Sequence, residues 1–333
     1  VMNINSLNRY VTRDGYLDER LLVRKEPLYQ GMNGRYVERF FVSPSESYIF
    51  KPVTHPGQEE REAWIYEHIL PQLPRVYPEM LARSPKGEPG WVIYEDLGAL
   101  EHRHDKKTML QVAALAARWH TLPAAEWEKA DLAAPKPPME SMASFLTERE
   151  QDVGDILGEL SLPPDLLRNL AEWAISFVGS EERVLSHGDL HAGNYALAKE
   201  KLYILDWEHV HLNSPLWDLY HLIDMSHPVF PRKIAVTTEL REGVLQAYLN
   251  KRRYYGKALN PERFVMKYYK FSLVFSLWMG LLIKSDLHHG SVHWTRQQLE
   301  RQWTECMDSI AGCAAWLCAL GDGGMSRQIK PRE

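Results

Sequence analysis

His187, Asp189, His191 and Asn194 sit in one short segment, His187-Gly188-Asp189-Leu190-His191-Ala192-Gly193-Asn194, entered through the apolar Val184-Leu185-Ser186. Shortly after it, the apolar run Leu202-Tyr203-Ile204-Leu205 ends on Asp206-Trp207-Glu208. A hard cation such as Mg²⁺ takes oxygen ligands, few of them from protein and the rest from phosphates and water. A carboxylate and an amide oxygen at the ends of neighbouring strands supply such ligands. A second carboxylate, not tied to metal, can orient a hydroxyl and accept its proton. Asp206, Asn194 and Asp189 match these three roles, and together they match the needs of phosphoryl transfer: charge neutralisation, alignment and a proton acceptor.

The same segment resembles the catalytic loop of the aminoglycoside phosphotransferase and choline kinase family, itself similar to protein kinases. The protein-kinase pattern H-R-D-L-x-x-x-N, followed by D-F-G, is kept in spacing by His187-Gly188-Asp189-Leu190, Asn194 and Asp206-Trp207-Glu208, with Trp207 and Glu208 as departures. The resemblance implies that Asp189 is the base and that Asn194 and Asp206 bind Mg²⁺. It sets His191 where a residue can approach the γ-phosphate, and His187 where a histidine braces the loop. Upstream, Gln30-Gly31-Met32-Asn33-Gly34 resembles a phosphate-covering turn, with Gly31 and Gly34 as its glycines. Lys51 resembles the strand lysine that holds the α- and β-phosphates, with Glu62 preferred to Glu67 as its partner. Trp91-Val92-Ile93-Tyr94-Glu95-Asp96-Leu97 resembles the strand and hinge that carry adenine, through backbone groups of Glu95 and Leu97. Downstream, Asp218 falls where an aspartate supports the catalytic loop. The resemblance runs over roughly residues 21–220.

The resemblance further implies an ATP- and Mg²⁺-dependent phosphotransferase acting on a hydroxyl of a small molecule: an aminoglycoside, choline or ethanolamine, homoserine or a sugar-like acceptor, with GTP left open beside ATP. The alternative from another class is a nucleotide-binding, kinase-like scaffold with little catalysis, but a scaffold has no chemical need of Lys51, Asp189, Asn194 and Asp206 together. A protein kinase is disfavoured because no A-P-E-like segment comes after Asp206. His187-x-Asp189-x-His191 could hold Zn²⁺, but that reading leaves Asn194 and Asp206 unexplained. Glu208, Asp286 and Glu305, with Trp278 and Trp294, could receive a cationic acceptor; the ordinary reading is a solvated face for the acids and core packing for the rings.

These residues need a scaffold, and the sequence supplies one. Strand patterns at 21–28, 35–42 and 47–53, with a polar turn at 43–46, precede a helical pattern at 59–70 that Pro71 ends; another strand pattern covers 91–94. Further helical patterns lie at 107–122, 139–160, 164–178, 240–255, 261–284 and 292–320, interrupted by a strand-turn-strand region at 184–206. The expected fold is α+β and bilobal, protein kinase-like. A small antiparallel lobe with one helix, residues 1–94, would bind nucleotide, and a larger, mainly helical lobe, residues 95–333, would carry the catalytic loop and the acceptor pocket. ATP would lie between them.

Composition fits an enzyme of this kind. With 333 residues, 45% hydrophobic and 25% charged, the chain can bury an ordinary core. A net charge of −5 argues against nucleic acid or an anionic membrane as partner. The longest uncharged apolar run, 271–283, lies between Lys270 and Lys284 and is too short to span a bilayer. Cys306, Cys313 and Cys318 lack metal spacing and read as reduced, which with no signal-like N-terminus leads to a cytosolic expectation. Oligomeric state leaves no mark in the sequence.

Overall fold

The computed structural model describes residues 7–322, apart from Met32, Asp131, Ala133, Pro164, Asp165, Leu167, Arg168 and 171–181. The helix expected at 164–178 falls largely outside the described residues. The chain forms two compact units: Val1–Arg103 with Asn194–Glu208, and His104–Gly193 with His209–Glu333.

The first unit is built on β1 (Arg24–Gln30), β2 (Tyr36–Ser43), β3 (Glu46–Pro52), β4 (Met80–Arg83) and β5 (Trp91–Glu95). They form one antiparallel sheet in the order β1-β2-β3-β5-β4. β4 has no strand-like stretch of its own in the sequence; it forms because β5 offers it a paired edge. Alternation decides which side chains go where. Phe40, Phe50, Trp91 and Ile93 turn to one face and form a core with Leu7, Tyr10, Leu17 and Ala82. Phe50 pairs with Ile93, and the next pair is Lys51 with Val92. Lys51 therefore faces the other side, where helix α1 (Gln58–His68) brings Glu62. A two-stranded ribbon completes this unit, Tyr195–Ala198 with Lys201–Ile204, in which Tyr195 pairs with Ile204.

The second unit is mainly helical: α2 (Lys106–Trp119), α3 (Met139–Glu148), α4 (Glu150–Glu159), α5 (Pro215–Ile223), α6 (Thr238–Tyr254), α7 (Pro261–His289) and α8 (Arg296–Asp322). Short strands Val184–Ser186 and His211–Asn213 pair antiparallel beside them. Helix starts are explicit in the sequence. Asp105, Ser214, Thr237 and Asn260 each accept a backbone N–H of the first turn, and Pro215 and Pro261 occupy first helical positions. The single helix expected at 139–160 is two helices. Arg149 leaves helical geometry at φ −112° and ψ 34°, and both pieces pack on α7. The apolar positions Met142, Leu146, Val153 and Leu157 stay in helical phase across the break, so periodicity gave no sign of it. Among the described residues no helix is long and apolar enough to cross a membrane.

Candidate functional site

Two clusters collect the residues singled out by their chemistry, one in each unit. In the first, the ammonium of Lys51 lies 2.7 Å from Asp206 Oδ1, 2.8 Å from Glu208 Oε2 and 3.2 Å from Glu62 Oε1. Glu62, not Glu67, therefore meets Lys51. Glu62 also accepts from Gln58 Nε2 at 2.9 Å and from the Tyr94 hydroxyl. Burial alone would lower the Lys51 pKa, but Asp206, Glu62 and Glu208 more than offset it and hold the ammonium well above its ordinary range. Glu208 moves the other way. Burial, reinforced by the Asp206 charge, pushes its carboxyl up to about 8.

Even with the Glu208 carboxyl protonated, Asp206 and Glu62 outweigh the one ammonium, and oxygens of the three acidic residues lie within 4.8 Å of one another. An all-oxygen donor set with surplus negative charge fits a hard divalent cation. Asp206 holds φ at 60°, a left-handed conformation that costs a non-glycine residue energy and recurs at functional sites. Asn194 precedes the strand Tyr195–Ala198, and Asp206 comes after its partner Lys201–Ile204. The Leu205 N–H donates to the Asn194 carbonyl at 2.8 Å, so both expected metal ligands stand at the same end of the ribbon.

The remaining nucleotide-site candidates also lie in this unit. Gly31 N–H donates to Arg35 O at 2.8 Å and Gly34 N–H to Gly31 O at 3.0 Å. Both amides are thus spent inside the turn, and Gly34 at φ 76° supplies a conformation that side chains disfavour. At the end of β5, Glu95 N–H donates to Glu79 O at 2.9 Å. The Leu97 backbone meets no protein partner among the described residues.

In the second unit, Asp218 organises the segment from Ser186 to Gly188. Its Oδ1 accepts from Ser186 Oγ at 2.6 Å and Gly188 N–H at 3.0 Å. Its Oδ2 accepts from His187 N–H at 2.8 Å, and from Trp119 Nε1 and His120 Nε2 at 3.0 Å each. Burial opposes ionisation of Asp218, but these donors, His120 foremost, hold its carboxyl far below the usual carboxylate range. His120 turns its other nitrogen to the Tyr248 hydroxyl at 3.0 Å, which fixes the ring. Gly188, at φ 91°, passes so close to the His209 carbonyl that a Cβ would collide with it. The loop is therefore held by one buried carboxylate and by a position that only glycine fits.

Asp189 projects from this braced loop with its side chain 20% exposed. Its Oδ2 lies 3.3 Å from His191 Nε2, and its Oδ1 lies 3.0 Å from Lys136 Nζ and 3.8 Å from His221 Nε2. His191 Nδ1 accepts the Gly193 N–H at 2.9 Å, so Nε2 carries the proton that faces Asp189. Burial would raise the Asp189 pKa; Lys136 and then His191 overcome that and keep the carboxyl well below its ordinary value. A ring stack backs the site: His191 lies on His227 at 4.3 Å and on Phe230 at 5.6 Å.

Sequence reasoning missed Lys136, Gln58 and the part of Glu208 in the Lys51 cluster. Lys136 stands alone between Pro135 and Pro137-Pro138 in what reads as a linker, and only contact with Asp189 reveals it. Gln58 and Glu208 carried a weak signal, as polar residues beside Glu62 and Asp206. Of the residues offered for a cationic acceptor, Trp294 meets the His227 ring edge-on at 6.2 Å. Glu305 accepts from Ser226 Oγ and Arg232 N–H at 3.0 Å each, Trp278 is buried in the core, and Glu208 belongs to the Lys51 cluster.

The model of the phosphotransferase enzyme family matches residues 33–258. No curated protein matches the chain. Among solved structures, a choline kinase from Cryptosporidium parvum is 14% identical, with a TM-score of 0.54 over 95% of this chain and 98% of its own. A macrolide 2'-phosphotransferase from Brachybacterium faecium is 17% identical, with a TM-score of 0.50 over 87% and 93%. An aminoglycoside phosphotransferase solved in a ternary complex with streptomycin and ATP is 15% identical, with a TM-score of 0.51 over 93% and 96%. At such identities the likeness is one of fold, and that fold is kinase-like.

Proposed function

Since the chain belongs to the phosphotransferase enzyme family, we propose that it transfers the γ-phosphate of ATP, with Mg²⁺, to a hydroxyl of a small molecule, and that Asp189 is the base. The observation that carries this reading is the convergence on the Lys51 ammonium of Glu62, at 3.2 Å, and of Asp206, 155 positions away in the chain, at 2.7 Å. A phosphate-binding cation and a metal-binding carboxylate are the two things a nucleotide triphosphate site needs side by side.

In this reading Lys51 holds the α- and β-phosphates, and Glu62 keeps its ammonium in place. Asn194 and Asp206 would hold Mg²⁺, which when bound neutralises phosphate oxygens. Glu95 and Leu97 would carry adenine or guanine through their backbones. Gly31 and Gly34 shape the turn over the phosphates, and their N–H groups would contact phosphate only by exchanging the bonds they make inside the turn. The acceptor hydroxyl donates its proton to Asp189, its oxygen bonds to the γ-phosphorus, and the bond from that phosphorus to the bridging oxygen breaks to release ADP. His191 Nε2–H orients the Asp189 carboxylate. Asp189 stays ionised because of Lys136, so it is ready to accept that proton across the neutral range.

The two units correspond in this reading to a nucleotide-binding part and a catalytic, acceptor-binding part. The test is ³¹P NMR of the protein with Mg·ATP and a panel of amino alcohols, aminoglycosides, a macrolide, homoserine and sugars. A new phosphomonoester resonance from one compound is expected, and it names the acceptor class. ATP bound but unchanged against the whole panel would speak for the scaffold.

A further inference from the structure

Apart from helping to keep Asp189 ionised, Lys136 has no part in the roles assigned to Asp189, Asn194 and Asp206, yet its ammonium is 3.0 Å from the Asp189 carboxylate and its side chain is only 18% exposed. Withdrawing an ammonium from water is costly, and a buried ion pair rarely repays that cost in stability. The chain also presents this lysine on a stiff segment. Pro135, Pro137 and Pro138 surround it, and Pro138 is the residue from which α3 starts. Prolines restrict the backbone before folding, so holding Lys136 in one position costs little additional entropy.

A cation beside a general base makes that base weaker, because it stabilises the ionised form. Strengthening proton abstraction therefore cannot be the reason for Lys136. Its charge is useful elsewhere. A base that takes the acceptor proton sits within hydrogen-bond distance of the acceptor oxygen, roughly 2.6–3.2 Å. The phosphorus bonds to that same oxygen, so the transferred phosphoryl oxygens come within a few Å of the Asp189 carboxylate. Asp189 is the one protein partner of the Lys136 ammonium among the described residues. An ammonium has three N–H donors, which leaves two for another acceptor. His191 offers a single donor there, Nε2–H, because its Nδ1 is occupied as an acceptor from Gly193 N–H.

We propose that Lys136 is a further catalytic residue whose ammonium binds the phosphoryl group as it reaches the acceptor oxygen. This rests on the kinase reading with Asp189 as base. The charges then change hands in one step. While the acceptor is a hydroxyl, Asp189 is an anion and pairs with Lys136. When the acceptor proton moves to Asp189, the carboxylate becomes neutral and the new oxygen–phosphorus bond forms as ADP leaves. The Lys136 charge, no longer matched by Asp189, then faces the oxygens of the phosphorylated product. Lys136 keeps its proton throughout.

The test compares wild type, Lys136→Met, Lys136→Arg and Asp189→Asn in single turnover of [γ-³²P]ATP with Mg²⁺. The acceptor is the compound that the panel identifies, or water when none is phosphorylated. Removing one charge-stabilising donor from a transition state costs on the order of 100-fold in turnover, and that loss is expected for Lys136→Met, with KM for ATP and ADP affinity within about threefold of wild type. Lys136→Arg, which keeps the charge, should stay within about tenfold. ADP affinity and the melting temperature of each variant report whether it folds, and Lys136→Arg keeps the test decisive should the methionine variant not fold. Lys136→Met turning over like wild type while Asp189→Asn is inactive would overturn the role of Lys136 and leave the kinase reading standing. Lys136→Arg as impaired as Lys136→Met would overturn a role through charge. Wild type no faster than Asp189→Asn would overturn the kinase reading and this inference with it.

Discussion

Lys51 Nζ and Asp206 Oδ1 stand 2.7 Å apart although 155 positions separate them in the chain. The sheet turns Lys51 away from the apolar core, and the ribbon that ends at Ile204 delivers Asp206 to it. Glu62 and Glu208 complete the surroundings, and Asp206 with Glu62 alone already carries more negative charge than Lys51 balances. Asp206→Ala should therefore act through the metal. Calorimetry should show Mg·ATP affinity reduced tenfold or more, since charge count sets the affinity of oxygen-ligand sites. ATP affinity without Mg²⁺ should be unchanged or tighter, because a like charge has gone. Equal Mg·ATP affinity in wild type and variant would contradict the metal assignment.

Asp218 is the support on which the Asp189 loop stands. Its five donors are buried together, and Asp218→Ala leaves them without an acceptor. Breaking such a buried charged cluster by removing the carboxylate costs about 3–5 kcal/mol in total. Denaturant unfolding should show a loss in that range. Ser186→Ala, which removes one neutral donor, should cost about 1 kcal/mol. A loss below about 1 kcal/mol for Asp218→Ala would show that the loop is held by other means.

A second buried pair gives stability a defined pH dependence. Asp224 accepts from Arg241 Nη2 at 2.7 Å, Tyr268 Oη at 2.6 Å and Ser309 Oγ at 2.8 Å. Burial alone would raise its pKa; Arg241 reverses this and holds it down to about 2. An unfolded aspartate titrates near 3.9, so between these values the folded state binds fewer protons. The contribution is fully present above about pH 4 and is lost as pH falls toward about 2. Asp224→Asn should be less stable than wild type by about 3–5 kcal/mol at neutral pH, because Arg241 stays buried without a counter-charge. That gap should narrow as the pH is lowered from about 4 to about 2 in denaturant melts. A gap independent of pH would contradict the shift.

How much of the molecule is legible from its sequence depends on how local each relationship is. The segment from His187 to Asn194 is contiguous, and its residue types and spacing were enough to single out Asp189, Asn194 and, after the next apolar strand, Asp206. The sheet with its helix was legible because strand alternation and helical periodicity are short-range signals. β4 escaped because four residues make little pattern without the partner β5. The break at Arg149 escaped because the apolar phase runs through it. Lys136 was illegible for a different reason. It meets Asp189 from 53 positions away, through a proline-rich connection with no periodicity. Contacts of that kind are set by tertiary packing alone.

The role of Asp189 as base is tested most directly by a pair of measurements on wild type and Asp189→Asn: ADP formed from Mg·ATP in the presence of the hydroxyl panel, and Mg·ATP affinity. One class of hydroxyl compound should stimulate ADP formation by wild type. Asp189→Asn should lower that rate by at least about 100-fold, the scale of a general base, and bind Mg·ATP within about threefold of wild type. Acceptor-stimulated ADP formation that survives unchanged in Asp189→Asn would contradict the assignment of the base and the mechanism built on it.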